Sequence, residues 1–121
     1  MHLANRGEVV MTLEEISSKV NGSIAVDAPG ASASSVYVGD LLSDVMCHAG
    51  GKSVLVTVQN HLNTIAVATL VGVSAVVICH SRPVSPDMAE GAKREGVGIV
   101  MTPLSQYEAA LALSELPPSR K

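Results

Sequence analysis

The sequence predicts an α/β fold: a single compact domain built on a mostly parallel sheet with helices on both faces. Three observations carry this. From Val54 onward, β-branched runs alternate with helix-length segments in a regular ladder, the pattern of strand-helix-strand units. Those runs are continuously apolar, as strands covered on both faces must be. With 121 residues, the chain is long enough for one domain that buries roughly two thirds of its unfolded surface.

Thr12-Leu13-Glu14-Glu15 has capping-box spacing and opens a helix to about Val20, which Asn21-Gly22 ends. A short strand over Ser23 to Val26 leads into the turn Asp27-Ala28-Pro29-Gly30 and a small-residue loop, Ala31 to Ser35. Val36 to Val38 reads as a strand broken by Gly39. Asp40 is expected to cap a helix through about His48, with Leu41, Leu42, Val45 and Met46 on one face.

The ladder itself runs strand Val54 to Val58, helix Thr64 to Val71, strand Ala75 to Cys79, helix Pro86 to Glu95, strand Gly98 to Met101 and helix Pro103 to Leu113. Ser85 and Thr102 precede prolines as expected N-caps, and Gly96 follows a helix as its stop. Residues 1–10 are expected to be an N-terminal extension, with Met11 a candidate start. The domain is expected over 11–115, and 116–121, with Pro117-Pro118, is expected to be a disordered tail.

Composition excludes several classes of function. The net charge is −3, the eight basic residues are scattered, and Phe and Trp are absent. No cationic surface or set of stacking platforms for nucleic acid is therefore expected. Leu62 to Cys79 is uncharged and invites a membrane reading. Asn63 and Thr64 at one end, Gly72-Val73-Ser74 in its middle and flanks without a one-sided basic cluster oppose it. Cys47 and Cys79 read as free thiols of a cytoplasmic protein.

Two ordered motifs carry a resemblance. Val36-Tyr37-Val38-Gly39-Asp40-Leu41-Leu42-Ser43-Asp44-Val45-Met46, followed by Thr57 to Asn63 and Ala66-Val67-Ala68, resembles the DRTGG domain family over about Met11 to Leu113. That family in turn resembles the N-terminal domain of HPr kinase/phosphorylase, and occurs in regulated pyrophosphatases and beside phosphotransacetylase domains. The resemblance implies a regulatory or ligand-sensing α/β module without catalytic machinery, often self-associating. The naming pentapeptide is missing, and Ala31-Ser32-Ala33-Ser34-Ser35 stands in its place.

Other motifs are decoys. Gly50-Gly51-Lys52-Ser53 ends like a phosphate-binding loop, but a helix precedes it and a strand follows, the reverse of the required context. It reads as a tight turn with glycines at positive φ. Cys47-His48 and Cys79-His80 do not chelate, because adjacent side chains diverge on a helix or strand; no metal and no cofactor are expected. Asp40 and Asp44 are one helical turn apart, where acids serve the helix dipole. No nucleophile elbow is present, so no catalytic residue is assigned.

One polar island interrupts the span from Ser53 to Ser81, which contains no charged residue except for histidine: Gln59-Asn60-His61-Leu62-Asn63. It falls between a strand and a helix start, where anions bind or caps form. In a parallel sheet the same edge would hold His80, Ser81 and Arg82 after the next strand and Thr102 after the last. Together with Asp40, these are the candidate ligand-binding residues: Gln59, Asn60, His61, Asn63, His80, Ser81, Arg82, Thr102 and Asp40. The bland alternative is equally open: Asn60 or Asn63 merely caps the helix and His61 packs at its start.

The expected function is a non-catalytic regulatory module for a small anionic metabolite or nucleotide, acting as a homodimer. The alternative is a dimerisation or docking domain for a partner enzyme, with no small-molecule ligand.

Overall fold

The computed structural model describes residues 2–3 and 8–121. In chain order the elements are β1 (His2–Leu3), β2 (Val9–Thr12), α1 (Leu13–Lys19), β3 (Ser23–Val26), β4 (Ser32–Ala33) and β5 (Ser35–Val38). Then come α2 (Leu42–His48), β6 (Ser53–Thr57), α3 (Leu62–Val71), β7 (Val73–Ile78), α4 (Pro86–Glu95), β8 (Gly98–Met101) and α5 (Gln106–Ala112). The main sheet has the order β3-β8-β7-β6-β5, and a small antiparallel sheet has the order β1-β2-β4.

In the main sheet β5, β6, β7 and β8 are parallel and β3 runs antiparallel at the far edge. Each step from β5 to β8 moves one strand in the same direction. Crossovers of one hand then place α2, α3 and α4 on the same face. Side chains alternate between two cores, as the pleat requires. Leu55, Val76, Ile78 and Ile99 face Val45, Ile65, Ala68, Met88 and Ala92 of these helices. Val54, Val56, Ala75, Val77 and Val100 face Ile16 of α1, Ala109 of α5 and Met11 of the small sheet. The mostly parallel, doubly covered sheet predicted from the apolar runs is therefore the observed one.

Local chemistry fixes most element ends. Thr12 and Glu15 form the predicted capping box, with the Glu15 amide donating to Thr12 Oγ1 at 3.2 Å. Ser85 caps α4 ahead of Pro86, and Gly96 closes that helix in the left-handed region at φ 72°. Thr102 is not the cap of the last helix. Ser105 takes that role in a capping box with Glu108, three residues later than Pro103 suggested. Asp40 likewise does not cap α2, whose N-cap is Leu41 with no side-chain bond. The Gly50-Gly51-Lys52 turn is present, but the positive φ falls on Lys52 at 55° and on neither glycine.

The segment 116–121 departs furthest from expectation, being ordered against the sheet. Leu116 and Ser119 are buried. The Val36 amide donates to Pro117 O at 2.9 Å, and the Ser119 amide returns a bond to Val36 O at 2.7 Å. The tail thus covers the exposed edge of β5, which would otherwise present unpaired groups. Two prolines do not prevent this, because Pro117 contributes only its carbonyl. At the other end, residues 9 and 10 of the expected extension belong to β2, and Val9 packs against the core. Its strand β1 pairs with β2, while residues 1 and 4–7 lie outside the described set.

Among the described residues no helix is long and apolar enough to cross a membrane. Leu62 to Cys79 comprises α3, a left-handed Gly72 and β7.

Candidate functional site

The carboxyl ends of the parallel strands lie along one rim, because the four strands run the same way. Gly39 and Asp40 follow β5, Val58 to His61 follow β6, Cys79 to Arg82 follow β7, and Thr102 follows β8. The strand order never reverses between β5 and β8, so helices do not diverge there to open a crevice. Instead α5 returns over the opposite face and brings its first residue, Gln106, to the rim.

Asp40 is the hub. Its Oδ1 accepts from Thr57 Oγ1 and from the Val58 amide, both at 2.9 Å. Gln106 Nε2 donates to Oδ1 at 3.1 Å and to Oδ2 at 3.0 Å, while Gln59 Nε2 donates to the Asp40 carbonyl at 2.8 Å. Burial pushes the Asp40 carboxyl up, but the Val58, Gln106 and Thr57 hydrogen bonds and the Arg82 charge outweigh it, leaving it below the usual range. Asp40 is consequently an ionised strut that ties β5, β6 and α5 together. Its role is positional, which corrects its assignment as a helix cap.

The remaining residues of the island divide into tied and outward groups. Asn60 Nδ2 donates to Pro83 O at 2.8 Å, linking the two rim loops. Thr64 Oγ1 donates to Gln59 O at 3.0 Å and turns the chain into α3. His61 is the N-cap residue by backbone geometry but makes no side-chain cap bond, and both it and Asn63 are exposed. Neither half of the bland alternative holds: no asparagine caps the helix, and His61 is not packed.

Beyond β7 the backbone is contorted. His80 and Ser81 both adopt positive φ, 59° and 52°, a region that disfavours non-glycine residues. Their amides are held by Leu104 O at 2.9 Å and Thr102 O at 2.8 Å. The turn swings exposed Arg82 back across the rim, where its Nη1 donates to Val58 O at 3.2 Å. Thr102 is buried, accepts from the Leu104 amide at 3.1 Å and donates to Val20 O, so its hydroxyl is committed to the fold. A cleft of about 220 Å³ reaches the rim beside Ser81 and Pro103.

The rim therefore bonds Gln59 directly to Asp40, ties Asn60 and Arg82 to the neighbouring carbonyls of Pro83 and Val58, leaves His61, Asn63 and His80 exposed, and buries Thr102. Gln106 and Thr57 were missed from the sequence. Gln106 carried no signal, because nothing local says that α5 recrosses the sheet.

Cys79 is buried beneath this rim, and desolvation, with the Asp40 charge adding, pushes its thiol up to about 11. Cys47 is exposed on α2. A thiol reagent at neutral pH is expected to modify Cys47 quickly and Cys79 only after unfolding; equal rates at both would contradict the packing. Among the described residues no group of three or more His, Cys, Asp or Glu side chains is placed to hold a metal ion.

No family model matches the chain, and no curated protein is similar to it by sequence. Among solved structures, it is similar to the CBS and DRTGG domains of the regulatory region of a Clostridium perfringens pyrophosphatase, complexed with its activator diadenosine tetraphosphate. The TM-score is 0.69 at 17% identity, covering 88% of this chain and 47% of that one. The likeness extends to the fold and supports a DRTGG-like architecture. This chain spans about half the length of the pyrophosphatase chain.

Proposed function

We propose that this chain is a non-catalytic regulatory module that senses a small anionic metabolite or nucleotide at the strand rim. One observation carries the reading. The rim's carboxylate, Asp40, is consumed inward by four hydrogen bonds from three donor groups. What is exposed is donor-rich: Arg82, whose guanidinium bonds the Val58 carbonyl, His61 and Asn63 at the start of α3, and His80 toward Glu108 of α5. Such a surface suits phosphate or carboxylate groups. Glu108 is the opposing charge, close enough to His80 to be influenced by it, though its Ser105 hydrogen bonds dominate.

The fold supports the same reading, since the similar pyrophosphatase region is regulatory and binds a dinucleoside polyphosphate. The likeness of the DRTGG family to the N-terminal domain of HPr kinase/phosphorylase points toward control in the same way. We further propose a cytoplasmic homodimer. The small residues of α5 offer little to such a contact: Ala109 is fully buried and Ala110 and Ala112 are half-buried. Tyr107 and Leu111, 75% and 59% exposed and one turn apart on α5, are the better contact.

The test is a thermal-shift screen of nucleotides and phosphorylated metabolites, with diadenosine tetraphosphate included. A ligand at a hundredfold excess over its Kd is expected to raise Tm by roughly 5–10 °C. His61→Ala with Arg82→Ala should erase the shift. The exposed Leu62, Ala66 and Leu70, one turn apart along α3, favour the second reading, a docking domain for a partner enzyme; that reading expects no shift with any compound.

A further inference from the structure

A groove of about 820 Å³, lined by neither His61 nor Arg82, runs between β5, α2, α5 and the 116–121 segment. Its size falls within the range of small-molecule sites. The floor is carbon-rich, built by Val36, Val38 and Ala110 and backed by the fully buried Leu113, while Tyr37, on the opposite side of the β5 pleat, lines the α2 side. Val38 is 43% exposed there, a β-branched apolar side chain left open to water on a strand. One end of the groove carries His48, Arg120 and Lys121, and the lining includes no Asp or Glu. On a chain of net charge −3, a lining with basic side chains and no acidic side chain is a local inversion.

The tail is held in place to make this wall. Ser119 is buried, and its Oγ accepts from the Gly50 amide at 2.8 Å. The Lys121 amide donates to His48 O at 3.2 Å, and its ammonium donates to Met46 O at the end of α2. These bonds fix the backbone that carries Arg120 and Lys121 beside the floor. Val36 has spent both its amide and its carbonyl on the tail, so a peptide strand cannot pair at that residue. A carbon-rich lining with basic side chains at one end suits a compact molecule that carries both characters.

We propose that this groove is a second ligand site, for a small amphiphilic anion: an apolar or aromatic body on the Val36-Leu113 floor and an acid group at Arg120 and Lys121. The site does not depend on the rim reading, shares no residue with it and would survive its failure.

The probe is 1-anilinonaphthalene-8-sulfonate, titrated into the full chain and followed by amide NMR, with its uncharged twin N-phenyl-1-naphthylamine alongside. Saturable shifts are expected at Val36, Val38, His48, Ser114 and Arg120. Combining Arg120→Glu with Lys121→Glu is expected to weaken sulfonate binding roughly tenfold and the uncharged twin little. Ala110→Phe keeps the charges and fills the floor, and should abolish both. His61→Ala with Arg82→Ala should change neither. Shifts confined to other surfaces, equal loss for both probes in the charge-reversed chain, or groove signals that follow protein concentration instead of probe would each overturn the proposal. The last would make the groove an interface between copies.

Discussion

Asp40→Ala is expected to lower stability by about 3 kcal/mol and Tm by roughly 10 °C. The carboxylate satisfies the Thr57 hydroxyl, the Val58 amide and the Gln106 amide group at once. Truncation leaves those partly buried donors without an acceptor, and the loss of a network exceeds that of one bond. Asp40→Asn should cost less, about 1 kcal/mol, because the amide oxygen still accepts from Thr57 and Val58 and Gln106 can turn its own oxygen inward.

The pH dependence follows from the same contacts. Because the folded carboxyl lies below its usual range, its contribution is fully present above the unfolded value of about 3.9 and is lost as pH falls through the lowered folded value. The gap between wild type and Asp40→Asn in urea melts should therefore close below about pH 4. A constant gap down to pH 2 would show that Asp40 is not held ionised by this network.

Gly50→Ala is expected to release the tail. A β-carbon there would lie 2.3 Å from Arg120 O and 3.0 Å from Arg120 C. Both are backbone atoms, so no rotamer relieves the clash. Gly50 is not among the residues at positive φ, and the cost comes from the contact alone. Lifting the tail exposes Leu116 and breaks the pairing with Val36. The loss should be about 2–3 kcal/mol. Hydrogen exchange at the Val36 and Ser119 amides should accelerate at least tenfold, with Leu55 and Val77 in the sheet centre protected. Unchanged protection at Ser119 would mean that the tail is not anchored through Gly50.

The core was legible because its physics is local. Continuous apolar runs at Val54 to Val58 and Ala75 to Cys79 require cover on both faces, and the caps at Thr12, Ser85 and Gly96 are read from side-chain type and spacing. Long-range pairing was not legible. Asp40 sits where a cap is common, yet its partners are 17, 18 and 66 residues away. Pro103 marked a helix start by type, but the buried Thr102 is committed to Val20 and Leu104, and the helix begins only after Ser105. The tail looked disordered by composition, whereas an open β5 edge gave it a place to bind. At the site, sequence located the rim and its donors but not which were already spoken for.

The most direct measurement is an amide NMR titration of the full chain with ATP as the anionic probe. Saturable shifts at Asn60 through Thr64 and at Arg82, lost in the His61→Ala and Arg82→Ala double variant, are the predicted result. Saturable binding that leaves those amides unmoved, or no binding to the rim at any concentration up to several millimolar, would contradict a rim built to receive an anion.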